Sequence, residues 1–483
     1  MLIGQASINL SASIFSALLG LVSVFAFTRL FSPHDYGIYL LGLGFATVFS
    51  VFLAGWFRNL IVSGHARDDG TDVRGLAASG YLVGCLAAPA AYWVGRLVGL
   101  DAMEALAAVV LAVVIGVFEL TQDLVRARLM AITVMKATLV RATAALCLGI
   151  AAAFLGRTGV LLLVTATLAY LLAILVQRSA WRGTVFRFDG AGLLATAKQG
   201  LPLTLSLTLL AISSVTDRFI IANLIGTADA GKYIAGLDLV RQTLMMPAIS
   251  IAAVFVPLAI RIHANQGTAA VQSHLGESLE LLFSVVMPAC LGFAVIFSHV
   301  ANVVLGVDFR AVAVETMPIV SAAMIFQILT MQYLHTSFLL SGRSSFYLIH
   351  TSSIIVVNVI LSYVLISGYG TIGAAWARLG ADIFGFGCAL ILSRRAFPIP
   401  FPLRRLAPTI IAALMMALVV AAVDQRLQVS DLAACFILSG VGIASYAVLC
   451  WVLDISRARG RSKRALALFR TKFASVTIGD NSQ

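Results

Sequence analysis

Apolar runs of about 18 to 25 residues alternate with short polar stretches along almost the whole chain, the length an α-helix needs to cross a hydrocarbon layer of about 30 Å. Fourteen such runs predict spanning helices near 9–29, 38–62, 76–98, 104–122, 138–155, 159–176, 201–225, 233–257, 276–297, 313–340, 347–367, 373–392, 407–423 and 432–453. In lipid, a helix is the element that satisfies its own backbone, so the pattern predicts an all-α polytopic membrane protein.

The pattern also repeats. Leu30 to Leu43, LFSPHDYGIYLLGL, aligns without a gap on Leu224 to Leu237, LIGTADAGKYIAGL. Identical residues include Asp35/Asp229, Gly37/Gly231, Tyr39/Tyr233 and Gly42/Gly236. An Asp-x-Gly-x-Tyr motif at the same place in two sets of helices is what duplication leaves behind. The expected organisation is a six-helix lobe over 1–176, a linker over 177–200, a second six-helix lobe over 201–392, two added helices within 393–453 and a basic tail over 454–483. The linker is polar and carries Arg178, Arg182, Arg187 and Lys198.

Composition sharpens this reading. Of 483 residues, 60% are hydrophobic and only 11% charged, against an apolar share of roughly 45–50% in soluble domains. The six cysteines lie in apolar runs without metal-ligand or disulfide spacing, and no metal site is expected. No Lys or Arg precedes Arg29, so the first apolar run is expected to stay as a helix rather than be cleaved. The net charge is +12. Six cations, Arg29, Arg96, Arg157, Lys232, Arg310 and Arg426, fall on one side of the predicted membrane, and the other loops and the tail hold the majority. Positive charge stays inside, which places both termini in the cytoplasm despite an acidic cluster at Asp68, Asp69 and Asp72 in an inner loop. The tail from Arg457 to Lys472 suits anionic headgroups, and no nucleic-acid module accompanies it.

Charges within spans are costly and mark cavities or mutual pairs. They are Arg58, Glu119, Asp123, Arg141, Asp217, Arg218, Asp238, Arg241, Arg378 and Asp382. Arg218 and Arg241 come out level, each about 12 Å from the outer end, on helices joined by one tight turn. One reading makes Arg58, Arg218 and Arg241 the anion site of a cavity between the lobes, since guanidinium presents a planar fork to phosphate. The other pairs Asp217 with Arg241 or Asp238 with Arg218 and merely pins two helices, while Arg378 and Asp382 at i,i+4 satisfy each other. Arg58 has no acid at its depth on its own helix. Pro247, on the helix that carries Asp238 and Arg241, is the candidate hinge.

TRLFSPHDYGIY from Thr28 to Tyr39, with DRFIIANLIGTADAGKYIAG from Asp217 to Gly236, resembles the Wzx-like oligosaccharide flippases, polysaccharide transporters of the multidrug/oligosaccharidyl-lipid/polysaccharide exporter superfamily. The resemblance implies a MATE-like, two-lobed flippase. It would turn a polyprenyl-pyrophosphate-linked oligosaccharide, a repeat unit of lipopolysaccharide or exopolysaccharide, across a bacterial inner membrane by alternating access. It also implies that arginines such as Arg58, Arg218 and Arg241 hold the pyrophosphate, and that other polysaccharide-assembly proteins are partners. No cofactor is implied. Proton or sodium coupling would fall to Glu119, Asp123, Asp217 or Asp238, with Arg378 and Asp382 as further coupling or pairing residues.

Alternatives stay open. The drug-exporter branch carries a coupling carboxylate in its first helix, whereas no acid occurs before residue 33 here. A lipid II flippase shares the chemistry, yet the first helix lacks the charges that branch leads one to expect. A membrane enzyme would need a sizeable outer loop, and the longest expected one, 298–312, offers only His299, Asp308 and Arg310. His335 is expected to hydrogen-bond between helices.

Overall fold

The computed structural model describes residues 2–66, 73–184, 188–343 and 345–455. The acidic cluster Asp68, Asp69 and Asp72 and the basic stretch Arg457 to Lys472 lie outside them. The described chain is a succession of sixteen α-helices: α1 Leu2–Leu30, α2 Pro33–Ala66, α3 Val73–Gly84, α4 Ala88–Leu97, α5 Ala102–Ala127, α6 Ala131–Leu155, α7 Gly159–Val176, α8 Gly190–Ser213, α9 Thr216–Leu224, α10 Thr227–Gln266, α11 Thr268–Val304, α12 Val307–Ile328, α13 His335–Ser341, α14 Ser345–Ala396, α15 Leu403–Asp424 and α16 Asp431–Val452.

Eleven of these segments are long and apolar enough to cross a membrane, and the bent pair Thr204–Ser213 and Thr216–Leu224 makes a twelfth. α14 has 52 residues, about 78 Å at ~1.5 Å per residue, more than twice a hydrocarbon core. At Gly370 its backbone takes φ 61° and ψ −142°, a conformation open to glycine, which breaks it into two passes. With those two and the apolar part of α1, the architecture is consistent with fourteen spans.

Local chemistry explains where the helices begin. Ser32 caps α2 by accepting from the Asp35 backbone N–H (3.1 Å), with Pro33 at the first helical position. Asp101 and Glu104 form a capping box on α5. α8 starts ten residues before the end of the expected linker, because Asp189 accepts from Ala191 N–H (3.1 Å) and caps it there. The start of the linker is docked: Trp181 donates to Thr121 Oγ1 (2.9 Å) and Arg128 to the Ala180 carbonyl (3.2 Å). The expected outer loop 298–312 is also almost entirely helical, since α11 runs to Val304 and α12 starts at Val307.

Pro247 and Pro257 both lie within α10. Between α8 and α9 the chain bends by 44° at Ser214 and Val215 without a proline. The hydroxyls of Ser214 and Thr216 turn back onto the carbonyls of Ala211 and Ile212 there, competing with the helical ladder.

The repeated motif is a packing contact. A Cβ on Gly231 would overlap the Pro33 carbonyl oxygen and stand 2.9 Å from Gly37 Cα, and one on Gly37 would overlap the Thr227 carbonyl oxygen. The first turns of α2 and α10 therefore touch backbone to backbone through the two equivalent glycines. Arg29 strengthens the same end of the bundle by donating to the carbonyls of Val303 (2.8 Å) and Val304 (2.6 Å) at the end of α11.

Candidate functional site

Below that contact, α1, α2, α6 and α10 enclose a cavity of about 230 Å³. Its polar wall is made by Ser16, Ser23, Tyr36, Tyr39, Arg141, Asp238 and Gln242. Three helices of the first six spans and one of the later set contribute. The motif tyrosine Tyr39 faces this space, while its repeat partner Tyr233 is fully buried with no hydrogen bond to its hydroxyl.

Arg141 is the guanidinium on this wall. It donates to Ser16 Oγ (3.4 Å) and lies over the Tyr170 ring (5.3 Å), and no carboxylate is within ion-pair distance among the described residues. Gln242 Oε1 also has no hydrogen-bond partner. The sequence names Arg141 as an intramembrane charge but gives no ground for preferring it, because its role depends on α6 packing against α1.

The expected anion-site arginines separate. Arg58 does not line this cavity. Its Nε meets Asp123 Oδ2 at 2.6 Å and its Nη2 meets Glu119 Oε2 at 3.3 Å, both on α5. Its own helix holds no acid at that depth, yet the helix packed beside it holds two, which corrects the expectation of a free cation. Arg218 pairs with Asp238 (3.2 Å), the link expected to pin the seventh and eighth spans. Its Nε has no partner.

The second expected link, Asp217 to Arg241, is replaced. Asp217 Oδ2 accepts from Arg378 Nη1 at 2.9 Å, and both side chains are almost wholly buried. Asp382 lies 3.7 Å from Arg378 Nε, a charge contact beyond hydrogen-bond length, and its Oδ2 has no hydrogen-bond partner. Arg241 is left without an ion pair among the described residues. Its charged neighbours include Arg378, Arg218, Asp238, Asp217 and Asp382.

A second, larger space is apolar. α10, α11, α15 and α16 line a groove of about 570 Å³ whose walls include Pro247, Pro288, Phe293, Met416, Leu438 and Tyr446. Elsewhere a π-helical turn at Leu329–Leu334 precedes His335, whose Nε2 is 3.2 Å from His350 Nδ1 on α14. The Gly385 carbonyl lies 3.0 Å from His350 Nε2 and can only accept, so that nitrogen carries the proton and His335 donates to His350.

With this geometry in hand, a family model described as "Polysaccharide biosynthesis protein" matches residues 26–314. Comparison with curated proteins finds no match. Among solved structures, one described as "Lipid II flippase MurJ, inward closed conformation" aligns with a TM-score of 0.76 at 15% identity, covering 92% of this chain and 98% of that one. An inward-facing multidrug resistance MATE family transporter of the MOP superfamily aligns with a TM-score of 0.53 at 18% identity over 81% and 95% of the two chains. A MOP superfamily transporter from Pyrococcus furiosus gives a TM-score of 0.50 at 17% identity over 80% and 94%. At these identities the likeness establishes the fold.

Proposed function

The chain belongs to the polysaccharide biosynthesis protein family, and from that premise we propose that it is a flippase for a polyprenyl-pyrophosphate-linked oligosaccharide. The observation that carries the reading is the polar cavity between α1, α2, α6 and α10, with the guanidinium of Arg141 on its wall and no carboxylate within ion-pair distance of it among the described residues. Arg241, next in sequence to the cavity residue Gln242 but not on the cavity wall, is likewise without an ion pair among the described residues, although Asp217, Asp238 and Asp382 are charged neighbours. A diphosphate entering the cavity gains charge-assisted hydrogen bonds without first breaking an ion pair. Arg218 takes part through its unpartnered Nε, and Arg58 acts as a pairing residue near the opposite end of its helix.

The substrate's lipid chain lies in the apolar groove between α10, α11, α15 and α16, while its polar head occupies the cavity. The two sets of six helices are lobes that rock about the Gly37–Gly231 contact, exposing the cavity to each side in turn. The termini are cytoplasmic, on the strength of the loop cations.

Proteoliposomes containing a fluorescent polyprenyl-pyrophosphate sugar test this. Wild type transfers the label between leaflets, Arg141→Ala and Arg241→Ala each lose most of the rate, and Arg58→Ala combined with Glu119→Gln and Asp123→Asn retains it. Normal flipping by the Arg141→Ala/Arg241→Ala double variant sinks the anion-cavity reading. Lipid II in place of the fluorescent lipid distinguishes the peptidoglycan-precursor reading, which uses the same pyrophosphate chemistry.

A further inference from the structure

At the end of the bundle where α11 finishes and α15 turns into α16, the imidazole of His299 is held on both sides. Asp431 Oδ1 lies 2.7 Å from Nδ1 and Asp424 Oδ1 lies 2.7 Å from Nε2. Ionised carboxylates only accept hydrogen bonds, and a neutral imidazole carries one N–H. Two short contacts of this kind therefore need one proton more than a neutral imidazole and two carboxylates hold together. Other groups around the triad are Asn302 on α11, which donates to Asp431 Oδ1 (3.4 Å), Arg310 in the first turn of α12, whose charge acts on Asp431, and the Cys435 thiol on α16, within electrostatic range of Asp431.

The three residues sit on the three helices that wall most of the apolar groove. His299 belongs to α11, Asp424 is the last residue of α15 and Asp431 the first of α16. Farther along the groove, Tyr446 on α16 donates to the Ser284 carbonyl on α11 (2.8 Å). That second tie needs no titratable proton at ordinary pH. The hairpin of α15 and α16 is thus fastened to α11 by the triad, by Tyr446 and, at the other end of α15, by Arg405 on Glu280 (3.4 Å), and of these the triad is the fastening that depends on protonation of an imidazole.

We infer that His299, Asp424 and Asp431 form a proton-held clasp that sets the width of the apolar groove. With the proton bound, the hairpin is drawn against α11. When it leaves, one ring nitrogen presents a lone pair to a carboxylate oxygen, and that contact turns repulsive. Asp431 keeps Asn302 as a second donor, so Asp424 is the carboxylate that departs, and the end of α15 swings free about the Tyr446 tie. Acid closes the groove at this end and alkali loosens it. The link to lipid access rests on the flippase reading above; the clasp does not.

Hydrogen exchange followed by mass spectrometry, on the full chain in nanodiscs without added substrate, tests it. Rates are corrected for the intrinsic pH dependence of exchange. In wild type, amides at the end of α15 and the start of α16 should exchange about tenfold faster at pH 8.5 than at pH 5.5, the scale of one charge-assisted hydrogen bond. His299→Gln should show the fast rate at both values, and Asp424→Asn, which leaves the imidazole and Asp431 in place, should lose the pH step. A wild-type chain with no step, or a step that survives in Asp424→Asn, overturns the clasp. Because no lipid is present, a clasp that titrates as stated in a chain that flips nothing refutes the flippase reading and leaves the clasp standing.

Discussion

Replacing Arg378 by Met should be the most damaging single change among the buried charges, and its cost should shrink when Asp217 is removed as well. Arg378 serves two carboxylates: Asp217 at 2.9 Å, with side-chain exposures of 5% and 1%, and Asp382 at 3.7 Å. At an effective dielectric of about 20, each contact is worth roughly 4–6 kcal/mol of attraction before desolvation. Removing the arginine strands two buried carboxylates, and breaking such a pair from one side costs about 3–5 kcal/mol. Asp217→Asn strands nothing, since Arg378 keeps Asp382, so it should cost about 1–3 kcal/mol, the loss of a charged hydrogen bond. Asp382→Asn, beyond hydrogen-bond length, should cost least. In Arg378→Met/Asp217→Asn, one stranded carboxylate has been neutralised, and the double variant should be more stable than Arg378→Met alone. Thermal midpoints of the detergent-solubilised proteins, compared as a double-mutant cycle, read this order directly. Additive losses from Asp217→Asn and Arg378→Met would refute the reasoning, because independent sites add and coupled charges do not.

Other consequences are open to measurement. Gly231→Ala places a methyl carbon 2.9 Å from Gly37 Cα and onto the Pro33 carbonyl, neither of which can yield; a loss of about 1–3 kcal/mol in thermal stability is expected, with greater solvent access to Tyr39 by oxidative footprinting. Arg58→Met should lower the thermal midpoint, because Glu119 and Asp123 are then left with Arg126 at 3.4 Å from Asp123 as their remaining ion-pair partner among the described residues, and raising ionic strength should restore part of the loss. Trp181→Phe removes the donor to Thr121 Oγ1 and should cost about 1 kcal/mol, seen as faster proteolysis of the segment between α7 and α8.

What the sequence discloses here follows the range of the forces involved. Spans are legible because the bilayer imposes a length of about twenty apolar residues on each segment separately. The repeat is legible in the sequence, but the contact between α2 and α10 that its glycines Gly37 and Gly231 allow is not, because it joins positions 194 residues apart. Charge partners are not local either. Asp123 lies 65 residues from Arg58, and Asp217 lies 161 from Arg378, so helical spacing within one span cannot find either pair. The pair between Arg218 and Asp238 could be anticipated because one tight turn joins their helices. α8 begins inside the polar linker because Asp189 caps it there, while its first turns, Gly190 to Gly200, hold only two large apolar residues, Leu193 and Leu194, too few to stand out as an apolar run. The linker's docking on Thr121 and Arg128 joins segments more than fifty residues apart.

The ten intramembrane charges balance in number, five arginines against five acids, but not in place. Two acids crowd Arg58, and two more flank Arg378. Asp238 is taken by Arg218. That uneven sharing leaves Arg141 and Arg241 without a carboxylate within ion-pair distance among the described residues, and a guanidinium at membrane depth without a counter-charge is a cost that a purely structural network would have removed. Moving one acid to each of them would serve stability better. The arrangement makes sense if the missing negative charge arrives with a ligand, and then the two crowded sites have a purpose: they hold four of the five acids away from the cavity wall, where Asp238 stays bound to Arg218. A variant that supplies the counter-charge internally tests this. Ala145→Glu, on the cavity wall one helical turn from Arg141, should raise thermal stability through an i,i+4 pair while abolishing flipping; unchanged transport in that variant would mean that the free guanidinium of Arg141 is not the group the substrate meets.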